Sequence, residues 1–280
     1  MRPNGHEILY DRIFSLSVWI LGLLGLLLPV SIVGFLVVKG MHVLTLPFLT
    51  KSPVGFPLGA SGGIRPAIEG TAALVGIGLV VAFPAGLGGA IYLNEYGKNR
   101  RALIIVRFAI ECLAGIPSII YGLFGYAFLA VFLSLKVSLL AGGITLGFMM
   151  FPIILIGTHE ALQTVGSQLR ESALSLGVTK AYLIRRILLR KAWPGIVSAT
   201  VLTAGHAMGS AAPVLYTATT ILNVGGISLD APVMTLSTHL YYLVSQSLPS
   251  AHAYGTALIL VCILLVVNLV SLYLKKIAAH

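Results

Sequence analysis

Six apolar runs divide this chain, at residues 17–38, 69–93, 104–132, 139–157, 195–216 and 254–274. The hydrocarbon core of a bilayer is about 30 Å thick, and a helix needs about 20 residues to cross it. The runs are continuous rather than alternating, which predicts helices and excludes barrel strands. The fold class that follows is an all-α polytopic membrane protein with six transmembrane helices.

The polar intervals set the orientation. Arg2 and Arg12 precede the first run, and Lys98, Arg100 and Arg101 separate the second from the third. Arg170, Lys180, Arg185, Arg186, Arg190 and Lys191 separate the fourth from the fifth, and Lys275 and Lys276 follow the sixth. These all fall on one side, and an excess of Lys and Arg marks the cytoplasm. The opposite side carries Lys39, Lys51, Arg65 and Lys136, and residues 218–253 contain no Lys or Arg. Both termini are therefore expected inside. The Gly- and Pro-rich segment 39–66 reads as an external linker. It divides the chain into an N-terminal part, 1–64, and a five-helix core, 65–276, that includes a charged loop at 158–193. The external stretch 218–253 is long for a structureless connection. Its clusters Met234-Thr235-Leu236 and Leu240-Tyr241-Tyr242-Leu243-Val244 predict a short helix at the outer interface, with a mobile loop as the alternative.

Composition agrees with the pattern. Of 280 residues, 58% are hydrophobic and 9% charged, and the mean hydropathy is +0.99. A soluble surface needs far more charge. A net charge of +10 would point to nucleic acid in a soluble protein. Here it records orientation in a lipid bilayer, and no nucleic-acid partner is expected. Cys112 and Cys262 lie inside apolar runs and read as small apolar residues, not as a disulfide or metal framework. The first run is too long for a signal peptide and lacks a small-residue cleavage site, so no cleavable leader is expected.

The charged island is the most informative segment. It reads Arg170-Glu171-Ser172-Ala173-Leu174-Ser175-Leu176-Gly177, with Ile184-Arg185-Arg186-Ile187-Leu188-Leu189-Arg190 beyond. Gly177 suits a helix end and Thr179 a helix start, which predicts helix, glycine turn, helix. An ordinary basic amphipathic loop would satisfy that much. The spacing says more. Glu171, Gly177, Ile187 and Leu189 resemble the EAA loop of ABC importer permeases: Glu-Ala-Ala, three residues, Gly, nine residues, Ile-x-Leu-Pro. Ser172 stands for the first Ala of that pattern, Ala173 for the second, and Arg190 for the Pro. In that family the loop forms a coupling helix seated in a groove of the ATPase. The resemblance implies an ATPase-coupling role for Glu171, Ser172, Ala173, Gly177, Ile187 and Leu189.

Further segments, at residues 62–71, 90–96, 113–125 and 212–218, resemble the PstA permeases of phosphate importers. That resemblance implies a MetI-like transmembrane domain forming half of a heterodimeric pore with a PstC-like permease. It also implies a PstB-like ATPase dimer below, a phosphate-binding protein outside, and a site in the cytoplasmic (inner) membrane. This chain would bind no cofactor, ATP and magnesium being held by the ATPase. No Gly-x-x-x-x-Gly-Lys-[Ser/Thr] sequence occurs, which fits a non-catalytic subunit.

Ionisable groups inside a bilayer need a reason. Arg107 and Glu111 lie four apart, on one helical face, and read as an ion pair or a polar lining of the inner pore. Gly115-Ile116-Pro117-Ser118 interrupts the third run, where Ser118 and Tyr121 face either the pathway or a neighbouring helix. His206 and Ser210 also lie four apart, with Gly205 and Gly209 permitting close helix contact. At these two positions the PstA pattern carries Arg and Glu. Either the partner permease supplies the charges, or the substrate is another oxyanion or a phosphonate-like ligand. Two rival classes remain weaker. A membrane-embedded enzyme needs a cluster of metal or acid–base residues, and the seven histidines are scattered. An ion channel or ion-coupled carrier needs more intramembrane acids.

Overall fold

The computed structural model describes residues 5–54, 61–97, 99–219, 227–245 and 251–278. Helix α1 (Gly5–Gly40) is long and stands apart. None of its central apolar stretch is buried by the rest of the chain. Its C-terminal end is pinned to α12 (Ala251–Ala278). There Phe35 meets Tyr254 edge-on at 5.7 Å, and Gly40 lies so close that a Cβ would come within 2.8 Å of the Tyr254 carbonyl.

The expected linker at 39–66 is instead an ordered cap over its described part. A short helix α2 (Leu46–Thr50) is followed by strands β1 (Pro53–Val54) and β2 (Ser61–Gly62), paired antiparallel. Phe48 explains the order. It is 2% exposed and packs among Ile64, Ala67, Met234, Leu236 and Leu260, so the segment has a core of its own. Residues 55–60 lie outside the described residues.

The centre is the pair α3 (Arg65–Ile91) and α6 (Leu139–Gln163). Glycines let the two backbones approach: a Cβ on Gly147 would sit 2.9 Å from Val81 Cβ. Leu74, Leu146, Met150 and Ile154 fill the seam, joined by Ala204 and Ala207 of α9 (Leu189–Gly209). Helix α9 is sutured to α12 by a reciprocal pair. Ser198 Oγ donates to the Ser271 carbonyl at 2.8 Å, and Ser271 Oγ donates to the Ser198 carbonyl at 3.0 Å.

Among the described residues, four helices are long and apolar enough to cross a membrane: those at 10–43, 65–96, 139–163 and 251–276. A fifth candidate is the bent pair α4 (Arg100–Ala114) and α5 (Ser118–Gly125), the latter continuing as a π-helical stretch at Tyr126–Phe132. The expected third span, 104–132, is broken by 92° at the predicted Gly-Ile-Pro-Ser interruption. Pro117 cannot donate an N–H and caps α5. The Tyr121 hydroxyl reaches back across the break to the Leu113 carbonyl at 2.8 Å, a second donor to an oxygen that Ile116 N also serves at 3.1 Å.

The fifth run also differs from expectation. The expected span covers 195–216, but α9 ends at Gly209, and Pro213 opens a separate short helix, α10 (Ala212–Leu215). Its buried hydroxyls, Ser198 and Thr203, lower its hydropathy, and it is not among the four strongly apolar helices. The external stretch does contain the short helix expected of it, α11 (Leu236–Ser245). Thr71 of α3 caps it, accepting from Leu236 N at 2.9 Å while donating to the Ala67 carbonyl. Within the long loop, residues 220–226 and 246–250 lie outside the described residues.

Candidate functional site

The charged loop folds as helix α7 (Ser167–Ser175), a turn, and helix α8 (Lys180–Tyr182). The turn is a Schellman motif: Gly177 N donates to the Leu174 carbonyl and Val178 N to the Ala173 carbonyl. Gly177 has φ +78°, and no atom stands within 4 Å of where its Cβ would be. The glycine is required by backbone conformation alone, not by crowding. Thr179 then caps the next helix, its Oγ1 accepting from Tyr182 N at 3.4 Å. Helix α8 does not stop there. It runs through a π-helical turn, Leu183–Leu188, straight into α9, so any displacement of the loop acts directly on that helix.

The loop is two-faced. Ala173 is 6% exposed and packs beneath, with Leu162, Leu183, Ile184 and Leu188. Glu171 and Ser172 are exposed, and Ile187 and Leu189 are half-buried against the same core. Leu176, beside the turn, is 83% exposed, and Leu174 and Tyr182 are also open. Large apolar side chains are thus presented at the tip of a charged loop.

The remaining candidates occupy two other places. Arg107 and Glu111 form the expected i,i+4 pair, with Nε 3.0 Å from Oε1, and both side chains are more than half exposed. They line an open cavity of about 360 Å³ between the ends of α3, α4 and α6, together with Arg100, His159, Glu160 and Gln163. Ser118 is half-buried at the start of α5, where Tyr121 bridges the break. His206 is exposed on α9. Ser210 is the residue at which α9 ends, and its hydroxyl donates to the His206 carbonyl at 3.0 Å, not to the imidazole. Of the two glycines nearby, only Gly205 requires a close approach: a Cβ there would meet Val267 Cγ1 at 2.9 Å, whereas Gly209 has ordinary clearance.

Two features of the site involve residues to which the sequence pattern assigns no role. Glu95 ends the long α3 helix and receives Arg170 of the charged loop, with Nε 3.2 Å from Oε1. An acid closing an apolar run, opposite a basic loop, is the one local hint of that contact. His239 of α11 is 4% exposed. The Thr256 hydroxyl spends its proton on the His252 carbonyl at 2.8 Å, so at the 3.4 Å contact with His239 the ring Nδ1 is the donor. The Nε2 lone pair is then left buried, with no partner among the described residues. Burial first, and the nearby His252 second, push the His239 pKa down from 6.5 to about 4.

Residues 82–279 match the family model of the binding-protein-dependent transport system inner membrane component. The chain belongs to this family. It is the permease subunit of an ABC importer, membrane-embedded and multi-pass. The permease is 39% identical over 214 residues to the phosphate transport system permease protein PstA 2 of Mycobacterium bovis, covering 74% of this chain and 69% of that one. It is 27% identical over 289 residues to a probable ABC transporter permease protein, YqgI, of Bacillus subtilis, covering 95% of this chain and 98% of that one. Among solved structures, it superposes on a chain of the inward-facing MetNI methionine ABC transporter with a TM-score of 0.56 at 22% identity. That match covers 78% of this permease and 93% of the other chain, and it bears out the MetI-like fold.

Proposed function

We propose that this permease forms half of the translocation pore of an ATP-driven importer of inorganic phosphate, coupled to its ATPase through α7 and the Gly177 turn. The observation that carries the coupling is the loop itself. Its inner face, at Ala173, is built into the helical core, and its tip presents Leu174 and Leu176 to a partner. Glu171, Ser172 and Gly177 lie on the loop that faces that partner, while Ile187 and Leu189 tie it to the core. In this reading ATP and magnesium sit on a PstB-like ATPase dimer, and this chain binds no cofactor and catalyses no reaction. ATP binding moves the loop, α9 follows, and the pathway alternates between outward and inward openings. A PstC-like permease supplies the other half of the pore, and a phosphate-binding protein delivers the solute. The complex resides in the cytoplasmic membrane with both termini inside.

Phosphate is supported by the 39% identity to a phosphate permease. His206 and Ser210 favour a second reading, in which the same architecture carries another oxyanion or a phosphonate-like ligand. An arginine offers a permanent, bidentate charge to phosphate; a histidine is cationic only part of the time near neutral pH. If the substrate is phosphate, the partner permease provides the permanent charge, and Arg107, Glu111, Ser118, Tyr121, His206 and Ser210 make up this half of the pathway. The deciding experiment is uptake of labelled phosphate into proteoliposomes holding the permease with its neighbouring permease, ATPase and binding protein. ATP-dependent uptake competed by phosphate, but not by sulfate or molybdate, is expected. A complex that hydrolyses ATP and ignores phosphate would transfer the assignment to the other oxyanion.

A further inference from the structure

Besides the packing of Ala173, two cationic side chains hold the charged loop to the core, and both grip the same turn. Helix α3 does not end as an α-helix. Its last residues, Tyr92–Tyr96, form a π-helical turn closed by Gly97 N donating to the Tyr92 carbonyl at 3.0 Å. Such turns carry one extra residue and recur at working positions. Glu95 within it has a side chain only 8% exposed, and its carboxylate accepts from Asn94 Nδ2 at 2.8 Å.

The first grip is Arg170, near the start of α7. Its Nε lies 3.2 Å from Glu95 Oε1, and another guanidinium nitrogen donates to the Leu162 carbonyl in the last turn of α6 at 2.8 Å. The Nε–H is not aimed at the carboxylate, so charge, not an aligned hydrogen bond, holds this contact. The second grip is Lys180, at the start of α8. Its ammonium donates to the Glu95 carbonyl and lies 4.6 Å above the Tyr96 ring. The two grips stand on either side of the Gly177 turn. Beyond the turn on the α3 side, the open cavity lined by Leu93, Asn94 and Gly97 leaves the end of α3 room to shift against α4.

We infer that Glu95 is a positioning residue for coupling: through Arg170 and Lys180 it makes the charged loop and the end of α3 move as one body. A loop joined only through the peptide chain would pass its displacement to α9 alone. With this latch the same displacement also drives α3, and through the glycine seam with α6 it reaches the centre of the bundle. The proposal rests on the coupling role given above to α7.

The test uses the assembled complex in proteoliposomes, reading ATP hydrolysed per phosphate imported. Glu95→Gln and Arg170→Glu are expected to hydrolyse ATP near the wild-type rate while the ratio rises about fivefold or more. The exchanged pair, Glu95→Arg with Arg170→Glu, is expected to recover most of the loss. Wild-type ratios in both single variants would overturn the latch. If Gly177→Val uncouples while Glu95→Gln does not, the latch falls and the coupling loop stands; if neither has an effect, the coupling role of the loop falls with it. Should the charge variants not assemble, Glu95→Cys with Arg170→Cys, in a chain whose Cys112 and Cys262 are replaced by Ala, gives a second route. A short bifunctional thiol reagent joining the two cysteines is expected to preserve coupling, since one rigid body tolerates a tether. Loss of transport on tethering would overturn the proposal.

Discussion

Ser198 and Ser271 exchange hydroxyl-to-carbonyl hydrogen bonds across the seam between α9 and α12, with their hydroxyls 2.9 Å apart. Both are buried, and each answers a donor that hydrocarbon would otherwise strand. Replacing either by Ala is expected to cost about 1 kcal/mol. Each hydroxyl donates to a backbone carbonyl that replacement of the other serine leaves in place, so the double variant should cost about as much as the two single variants together. Thermal unfolding in detergent measures this, and a double-variant loss no larger than a single one would show that the two bonds act as one unit.

Gly177 gives a prediction with a graded readout. Its φ of +78° lies in open space, so a side chain there meets conformational strain of roughly 1–2 kcal/mol and no clash. Asn tolerates this conformation better than Ala, and Val worst. Transport per ATP should fall in the order Gly, Asn, Ala, Val, with membrane insertion unchanged. An order that tracked side-chain volume alone, with Asn and Val equally poor, would point to a crowded docked state instead.

His239 makes the outer cap sensitive to acid. In the unfolded chain a histidine protonates near 6.5, while in the folded permease His239 resists protonation until about pH 4. Between those values the unfolded state binds more protons, so stability is full above about pH 6.5 and falls as pH drops. The loss saturates below about pH 4, at roughly 3 kcal/mol. His239→Gln is expected to flatten that slope. A wild-type melting temperature that does not change between pH 7.5 and pH 4.5, in runs at about those values, would contradict the buried neutral ring.

His206 is exposed on α9 near the break at Ser210. If it lines the pathway, His206→Arg should lower the KM for phosphate, because a guanidinium offers the anion a permanent bidentate partner. Unchanged uptake would mark the residue as packing against a neighbouring helix.

Much of the fold was legible because hydrophobicity of long runs is a strong signal. The Gly177 turn and the Thr179 cap were legible because each rests on a local backbone requirement. Other features depended on residues far apart in the chain. Gly115 and Pro117 announce an interruption, but the right angle goes with long-range seating of α5, where Gly122 meets Pro213 and Gly125 meets Thr145. Phe48 turned an apparent linker into a packed cap through Ile64 and Leu260. Thr71 looks like one more small residue in an apolar helix until Leu236 arrives to use it. Glu95 is 75 residues from Arg170, and nothing within either segment's own pattern selects the other.

The same Glu95 contact counts crossings. It places the end of α3 and the start of α7 on one side of the molecule. Between them lie the bent pair and α6, and α6 alone reverses the side. The bent pair must therefore reverse it too, which makes it a broken span and not a loop that enters and leaves by one face. At the opposite end, Ser138 and Leu139 at the head of α6 donate to the Thr217 and Ala231 carbonyls. The chain just beyond α9 is thus level with the head of α6, so α9 runs beside α6 between the same two ends of the bundle despite its serines and threonines.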